Sequence, residues 1–229
     1  MIDEKKISAV ITAAGNGLRM KSDRAKPYIE LKGKKILEIC LDTIVSLEEI
    51  DQIIVVIRKD DENYLKDIIK KYDKKISYVF GKQTRELSTY EGLKAVDKDS
   101  KLVLTHDGVR PFASKELFEK VIENSKEYKA VISAVKSKDT VKIVDKDLLV
   151  KNTPLRKEVY NVQTPQAFDK ELILAYYKKY IQSDFTITDD SQLFEIFSEE
   201  KIKVVEGEYS NIKMTTPEDL IFARGFLED

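Results

Sequence analysis

The segment AAGNGLRM at 13–20 places two glycines and a cation directly after an apolar run. Gly15 and Gly17 carry no side chain, so the backbone N–H groups around them can face phosphate oxygens at close range. Arg19 and the later Lys26 add positive charge, which strengthens hydrogen bonds to an anion. These residue types in this order predict a loop that binds phosphate.

The loop differs from two common phosphate-binding motifs. A P-loop requires Gly-Lys followed by Ser or Thr after a four-residue spacer, and the segment lacks that sequence. The dinucleotide-binding fingerprint requires a third small residue where Met20 stands. Both classes are therefore disfavoured, and an ordinary strand-to-helix turn is the alternative for a bare G-x-G.

Two further segments place charged side chains where chemistry could use them. THDGVRPF at 105–112 puts Asp107 at the carboxyl end of a predicted strand, with Arg110 close behind. A carboxylate there suits a metal–phosphate or ribose contact, and a surface Asp–Arg pair is the alternative. Lys213, between two apolar residues, is predicted to point into a site, although an exposed edge lysine is the commoner case. His106, the only histidine, is interpreted as structural.

The order of apolar and amphipathic stretches predicts an α/β fold. Continuous apolar strands separated by helices indicate a Rossmann-like, mostly parallel sheet with helices on both faces. Ligands bind beyond the carboxyl ends of such strands, so the loops that start at 14, 81, 107 and 136 are expected to meet at one cleft. The predicted strands are 7–13, 52–58, 76–80, 101–106, 130–135 and 201–207, and the predicted helices are 35–47, 61–72, 84–96, 114–128, 169–182, 189–199 and one starting within 215–220.

Residues 136–163 interrupt this pattern. Short β-like stretches flank the polar turn at 145–147, which predicts a protruding β-arm. The polar runs at 160–168 and 210–220 are predicted to lie in loops. No repeat, low-complexity tract or linker divides the sequence, so residues 1–229 are expected to form a single domain with the arm inserted in it.

The composition excludes several classes of protein. The 40 basic and 41 acidic residues leave a net charge of −1, which argues against a protein that binds nucleic acid or an anionic membrane. No apolar run approaches the roughly 20 residues that span a bilayer, and the charged N-terminus is not typical of a signal peptide. The single cysteine, Cys40, lies on an apolar helix face and is expected in the core. A cytoplasmic protein is the simplest expectation.

Eight motifs, in one order along most of the chain, resemble the cytidylyltransferase family that includes 2-C-methyl-D-erythritol 4-phosphate cytidylyltransferase. The resemblance implies transfer of a cytidylyl group from CTP to 2-C-methyl-D-erythritol 4-phosphate, with release of pyrophosphate, in isoprenoid precursor synthesis. Each motif alone is short, and the shared order carries the resemblance. The motifs are AAGNGLRM (13–20), AKPY (25–28), RELS (85–88) with GLKA (92–95), HDGVRP (106–111), DT (139–140), QTPQAF (163–168), TDD (188–190) and NIKMTTPEDL (211–220).

The resemblance also implies roles for individual residues. Arg19 and Lys26 match the pair that stabilises charge developing on the CTP phosphates, and Arg156 and Lys213 match the pair that positions the phosphate of the second substrate. Mg²⁺ is the implied cofactor, with Asp107 as its protein ligand. The arm resembles an element that crosses between the subunits of a homodimer. The other implied contacts are Ala14, Gly15, Gly17, Gly81, Gln83 and Ser88 for the nucleotide, and Asp107, Arg110, Thr140 and Thr164 for the second substrate.

Some residues depart from the family pattern and leave alternatives open. Pro27 replaces the usual glutamine beside the lysine, and Lys82 and Gln83 alter the loop that reads the base. The segment 154–166 is closer to related enzymes that act on D-ribitol 5-phosphate, so this acceptor is one alternative. A catalytically silent nucleotide-binding subunit is the second. A sugar-1-phosphate nucleotidyltransferase is disfavoured, because the double glycine followed by Thr-Arg of its loop is missing.

Overall fold

Eleven strands are present in the computed structural model, which describes residues 6–15 and 25–226. They are β1 (Ile7–Thr12), β2 (Glu30–Leu31), β3 (Lys34–Lys35), β4 (Ile50–Ile57), β5 (Ile76–Phe80), β6 (Leu102–Asp107), β7 (Ala130–Lys136), β8 (Ile143–Val144), β9 (Val150–Asn152), β10 (Tyr160–Asp169) and β11 (Ile202–Glu206). Seven of them form the central sheet in the order β11-β7-β10-β6-β1-β4-β5. Neighbouring strands run parallel, except that β10 is antiparallel to both neighbours. The predicted mostly parallel sheet is confirmed.

Helices cover both faces of this sheet. They are α1 (Ile36–Val45), α2 (Glu62–Ile69), α3 (Arg85–Lys94), α4 (Lys115–Asn124), α5 (Lys170–Ile181), α6 (Gln192–Phe197) and α7 (Pro217–Phe226). Helices α1, α2 and α4 share one buried cluster with the sheet, and α3, α5 and α6 share another. Strand β4 supplies both clusters, because successive side chains point to opposite faces: Val55 joins the first and Val56 the second. None of these helices, in the part of the chain that the structure describes, is long and apolar enough to cross a membrane.

Strand β10 shows that the loop predicted at 160–168 is wrong. Residues 163–168 of this strand are buried between β7 and β6. The polar composition indicated a loop, but its polar side chains find partners inside the fold. The Gln163 amide donates to the carbonyl of Glu208 at 2.8 Å, and the Thr164 hydroxyl accepts from the Asp107 N–H at 3.0 Å. Hydrogen bonds to distant residues therefore satisfy the buried polar groups of β10. The composition of the segment did not indicate a strand.

The hairpin of β8 and β9 stands in the segment predicted as an arm. The Asp145 carboxylate closes its turn by accepting the N–H groups of Asp147 at 2.9 Å and Leu149 at 3.0 Å. Large apolar side chains in and beside the hairpin are exposed: Ile143, Val144, Leu148, Leu149, Val150, Leu155, Tyr160 and Val162. The assignment of the whole chain to a single domain stays a prediction.

A small third cluster fixes the segment between β11 and α7. Met214 is fully buried there, with Leu31, Ile36 and Ala223 around it. The Met214 N–H also donates to the carbonyl of Val109 at 2.8 Å. These contacts hold the main chain beside Lys213, next to the carboxyl end of β6.

Candidate active site

A cleft of about 380 Å³ opens at the carboxyl ends of β1, β5 and β6. This is the edge of an open α/β sheet at which ligands bind. The loops after these three strands meet there, as predicted, but the segment that follows β7 is not among the described residues that line it. The lining residues are Thr12, Ala13, Ala14, Gly15, Lys26, Pro27, Lys82, Gln83, Thr84, Arg85, Ser88, Asp107, Val109, Lys213, Met214 and Thr215.

Asp107 is the buried carboxylate of this cleft. Its Oδ2 accepts from Lys213 Nζ at 2.8 Å and from Arg110 Nε at 3.4 Å, and its Oδ1 lies 3.9 Å from Arg85 Nε. Burial alone would raise the pKa of Asp107, but Lys213, Arg85 and Arg110 together lower it below its usual value. Asp107 is therefore a carboxylate at neutral pH, and it orients the Lys213 ammonium within the cleft.

Thr164 and His106 support Asp107 from inside the sheet. The Thr164 hydroxyl accepts the Asp107 N–H and lies 3.1 Å from His106 Nδ1. His106 Nε2 lies 3.2 Å from the carbonyl of Arg110, which can only accept, so the proton resides on Nε2. Burial lowers the pKa of His106 to about 4, so the ring is neutral at pH 7. His106 thus holds Thr164 in place rather than exchanging protons with a ligand.

Arg85 connects Asp107 to a second buried carboxylate. Its guanidinium contacts both oxygens of Asp190, at 3.0 and 3.3 Å, and the Tyr177 hydroxyl donates to Asp190 at 2.6 Å. Asp190 has no exposed surface. Arg85 and Asp190 belong to sequence motifs, but the sequence indicated no role for either residue. No sequence pattern indicated Tyr177. This pair fixes the start of α3, which borders the cleft.

Lys26 enters the cleft from a short 3₁₀ helix over Lys26–Tyr28. Its Nζ donates to the carbonyl of Thr215 at 2.7 Å. Pro27 occupies the second position of this helix, where no N–H donor is needed. The proline that replaces the usual glutamine at position 27 is therefore compatible with a neighbouring lysine that faces the cleft.

Gly81 and Ser88 shape the loop between β5 and α3. A Cβ on Gly81 would lie 2.5 Å from the Ala14 Cβ and 2.8 Å from the Ser88 hydroxyl, so only glycine fits. The Ser88 hydroxyl accepts the Lys82 N–H at 2.9 Å and donates to the Thr84 carbonyl at 2.8 Å. This loop presents Lys82 and Gln83 to the cleft.

The predicted site residues fall into four groups. Those that line the cleft are Ala14, Gly15, Lys26, Gln83, Ser88, Asp107 and Lys213. Gly81, Arg110 and Thr164 contact lining residues from behind. Thr140 and Arg156 are exposed and are not among the described lining residues. Gly17 and Arg19 lie outside the described residues.

The described residues hold no group of three or more potential metal ligands from His, Cys, Asp and Glu. Among the described residues that line the cleft, Asp107 is the only carboxylate, and it already contacts cations. Such a site fits a magnesium ion that takes most of its ligands from substrate phosphates and water.

The described lining of the cleft, with several cations, one carboxylate and Gly15 of the glycine loop, suits a triphosphate. No described serine, cysteine or histidine forms a nucleophile with a base in it, since His106 is buried behind Asp107. The fold and this cleft define an α/β nucleotidyltransferase, in which positioning and charge stabilisation perform the chemistry.

Comparison with known proteins identifies the family. Residues 7–229 match the family model of 2-C-methyl-D-erythritol 4-phosphate cytidylyltransferase, and the chain belongs to this family. It is 40% identical over 224 residues to the enzyme of that name from Caldanaerobacter subterraneus subsp. tengcongensis, covering 96% of this chain and 98% of that one. It is 42% identical to the one from Clostridium novyi, covering 96% of both.

A solved structure is also similar along the full length. It is that of 4-diphosphocytidyl-2C-methyl-D-erythritol synthase from Anaerococcus prevotii DSM 20548, with 64% identity and a TM-score of 0.92. The match covers 100% of this chain and 98% of that one. The resemblance drawn from the eight sequence motifs is therefore confirmed.

Proposed function

We propose that this protein transfers a cytidylyl group from CTP to 2-C-methyl-D-erythritol 4-phosphate and releases pyrophosphate. The observation that supports this most directly is the cleft in which Lys26 and Lys213 face a common space around the ionised Asp107. Two polyanionic substrates must meet in this reaction, and such a cleft reduces their repulsion. The family membership supplies the substrate class.

The reaction needs no basic side chain. The phosphate monoester of the acceptor is already a nucleophile at neutral pH, so its oxygen attacks the α-phosphorus of CTP. A new P–O bond forms as the bond to the β-phosphate oxygen breaks, and pyrophosphate leaves with that electron pair. Positioning and charge stabilisation are then the main contributions of the protein.

We assign roles to the cations and the carboxylate of the cleft. Lys26, with Arg19, stabilises the charge that develops on the leaving pyrophosphate. Lys213 holds the attacking phosphate, and Asp107 orients its ammonium through the 2.8 Å contact. A bound Mg²⁺ would neutralise part of the triphosphate charge, with Asp107 as its protein ligand.

In this proposal, Thr140 and Arg156 reach an active site only in a second copy of the chain. Both are exposed and lie outside the cleft lining. A homodimer that exchanges arms would bring the Arg156 of one subunit to the acceptor phosphate of the other. The exposed apolar side chains of the arm favour such an assembly.

Pyrophosphate release tests the proposal. The protein is supplied with CTP and Mg²⁺, and with 2-C-methyl-D-erythritol 4-phosphate or D-ribitol 5-phosphate in parallel reactions. Release is expected with the first acceptor only. Release with the second acceptor only would overturn the acceptor assignment. CTP binding without release from either would favour a silent nucleotide-binding subunit.

A further inference from the structure

Asp219, in the first turn of α7, holds the main chain beside the cleft. Its Oδ2 accepts the Thr215 N–H at 2.7 Å, the Thr215 hydroxyl at 2.9 Å and the Thr216 N–H at 2.8 Å. A capping box explains one of these bonds, because an acid at the third helical position accepts the N–H of the capping residue, here Thr216. The two bonds to Thr215 go beyond the requirements of a helix cap.

One peptide group connects Asp219 with Lys26. The N–H of Thr216 donates to Asp219, and the carbonyl of Thr215, in the same peptide group, accepts from Lys26 Nζ at 2.7 Å. Hydrogen bonds at both ends of a peptide group polarise it, and each strengthens the other. A carboxylate on the helix thus supports the ammonium in the cleft through a single rigid unit.

The same segment carries the second cleft lysine. Lys213 precedes Met214, which is anchored by its buried side chain and by the Val109 carbonyl. Asp219 anchors the next residue, Thr215. Two adjacent attachments therefore fix the backbone from which the Lys213 side chain reaches Asp107.

We propose that Asp219 is a positioning residue for the transfer reaction, because it orients the peptide between Thr215 and Thr216 that holds Lys26 and follows Lys213. The activity test of this inference rests on the proposed function, whereas the test by chemical labelling is independent of it.

The first test compares Asp219→Ala and Asp219→Asn with the control Glu218→Ala. Glu218 lies in the same helix turn and carries the same charge, so its loss weakens the helix dipole interaction similarly. Asp219→Ala should lower kcat by ~10- to 100-fold, since small displacements of positioning groups cost this much, while KM for CTP changes less than about threefold. Asp219→Asn should stay within about fivefold of wild type, because its amide oxygen can accept the same bonds. Glu218→Ala should match wild type.

Two results of this test would overturn the proposal. One is an Asp219→Ala variant that turns over at the wild-type rate. The other is a loss of kcat that Glu218→Ala shares. Circular dichroism measures the folded fraction of each variant, so that kcat is compared per folded molecule.

The second test follows acetylation of lysine amines by mass spectrometry, without substrates. Lys26 should be modified faster in Asp219→Ala than in wild type, because its acceptor carbonyl is no longer fixed. The exposed Lys201 serves as a reference and should not change. If wild type released no pyrophosphate, the proposed function would fail, and the labelling would still decide whether Asp219 positions Lys26. Unchanged labelling, or faster labelling without loss of kcat in an active enzyme, would overturn the inference.

Discussion

The cleft and the arm differ in which side chains they bury and which they expose. At and behind the cleft, two carboxylates are buried and paired: Asp107 is 6% exposed, and Asp190 has no exposed surface. On the arm, Leu148 is 80% exposed, and the charged Arg156 lies at the surface. Burying a charge costs free energy unless it is paired, whereas an exposed large apolar side chain leaves hydrophobic stabilisation unused.

This difference bears on the roles proposed for the two parts. The described cleft groups are held by contacts within one chain, so their geometry exists before any substrate binds. The arm has few such contacts, and its apolar surface would be stabilised by a second subunit. Four experiments test this division, from the largest expected effect to the smallest.

Replacing Lys213 by alanine should have the largest effect. Lys213→Ala is expected to lower kcat/KM by about three orders of magnitude, which is typical for loss of a group that stabilises transition-state charge. The fold should persist, because Asp107 keeps Arg85 and Arg110 nearby. Pyrophosphate release measures the effect, with the exposed Lys201→Ala as the control. Near wild-type turnover would contradict the role of Lys213.

Breaking the buried pair behind the cleft should affect stability. Asp190→Ala removes the partner of both Arg85 and Tyr177. It should lower the free energy of unfolding by about 3–5 kcal/mol, the range for breaking a buried ion pair by removing one partner. Urea denaturation measures this change, and the exposed Asp184→Ala is the control. An unchanged midpoint would mean that the pair does not stabilise the folded chain.

The arm can be tested by subunit complementation. Arg156→Ala should reduce turnover ~100-fold as an isolated variant, from loss of a phosphate contact. When it is co-expressed with Lys213→Ala, half of the dimers are mixed, and each mixed dimer has one intact site. About a quarter of wild-type activity should therefore return if Arg156 acts across a symmetric dimer. No gain on mixing would show that Arg156 acts on its own chain.

His106 predicts a pH dependence of stability. Its pKa is about 4 in the folded chain and 6.5 when unperturbed, so between these values the unfolded chain binds more protons. Stability should fall as the pH drops through this window, by about 2 kcal/mol between pH 7 and pH 5. Urea denaturation at both pH values measures the fall, and His106→Gln should reduce it. An equal fall in both proteins would assign the effect to other groups.

Structural features that depend on residues close together in the sequence were predicted well. Apolar periodicity indicated the strands and helices. Ser114, a residue type that favours helix N-caps, caps α4 by accepting the Leu117 N–H at 3.0 Å. The rule on strand ends placed Asp107 in a cleft with the glycine loop. The predictions for Arg19 and Gly17 lie outside the described residues.

Features set by distant residues could not be predicted in this way. Arg85 and Asp190 are 105 positions apart, and nothing in either local pattern indicates the other. The burial of β10 depends on partners such as Glu208, which lies in another loop. The exposed positions of Thr140 and Arg156 depend on the direction of the arm, which local residue types do not determine.

Strand β10 has a consequence for local unfolding. Its inner residues from Gln166 to Asp169 pair with β6 and mostly also with β7, whereas Tyr160–Val162 pair with β7 alone. Amide hydrogens along this one strand should therefore exchange with deuterium at graded rates, slow at Ala167 and fast at Asn161. An assembled dimer would slow the outer amides selectively. Exchange at the outer end of β10 would then report subunit association without any catalytic assay.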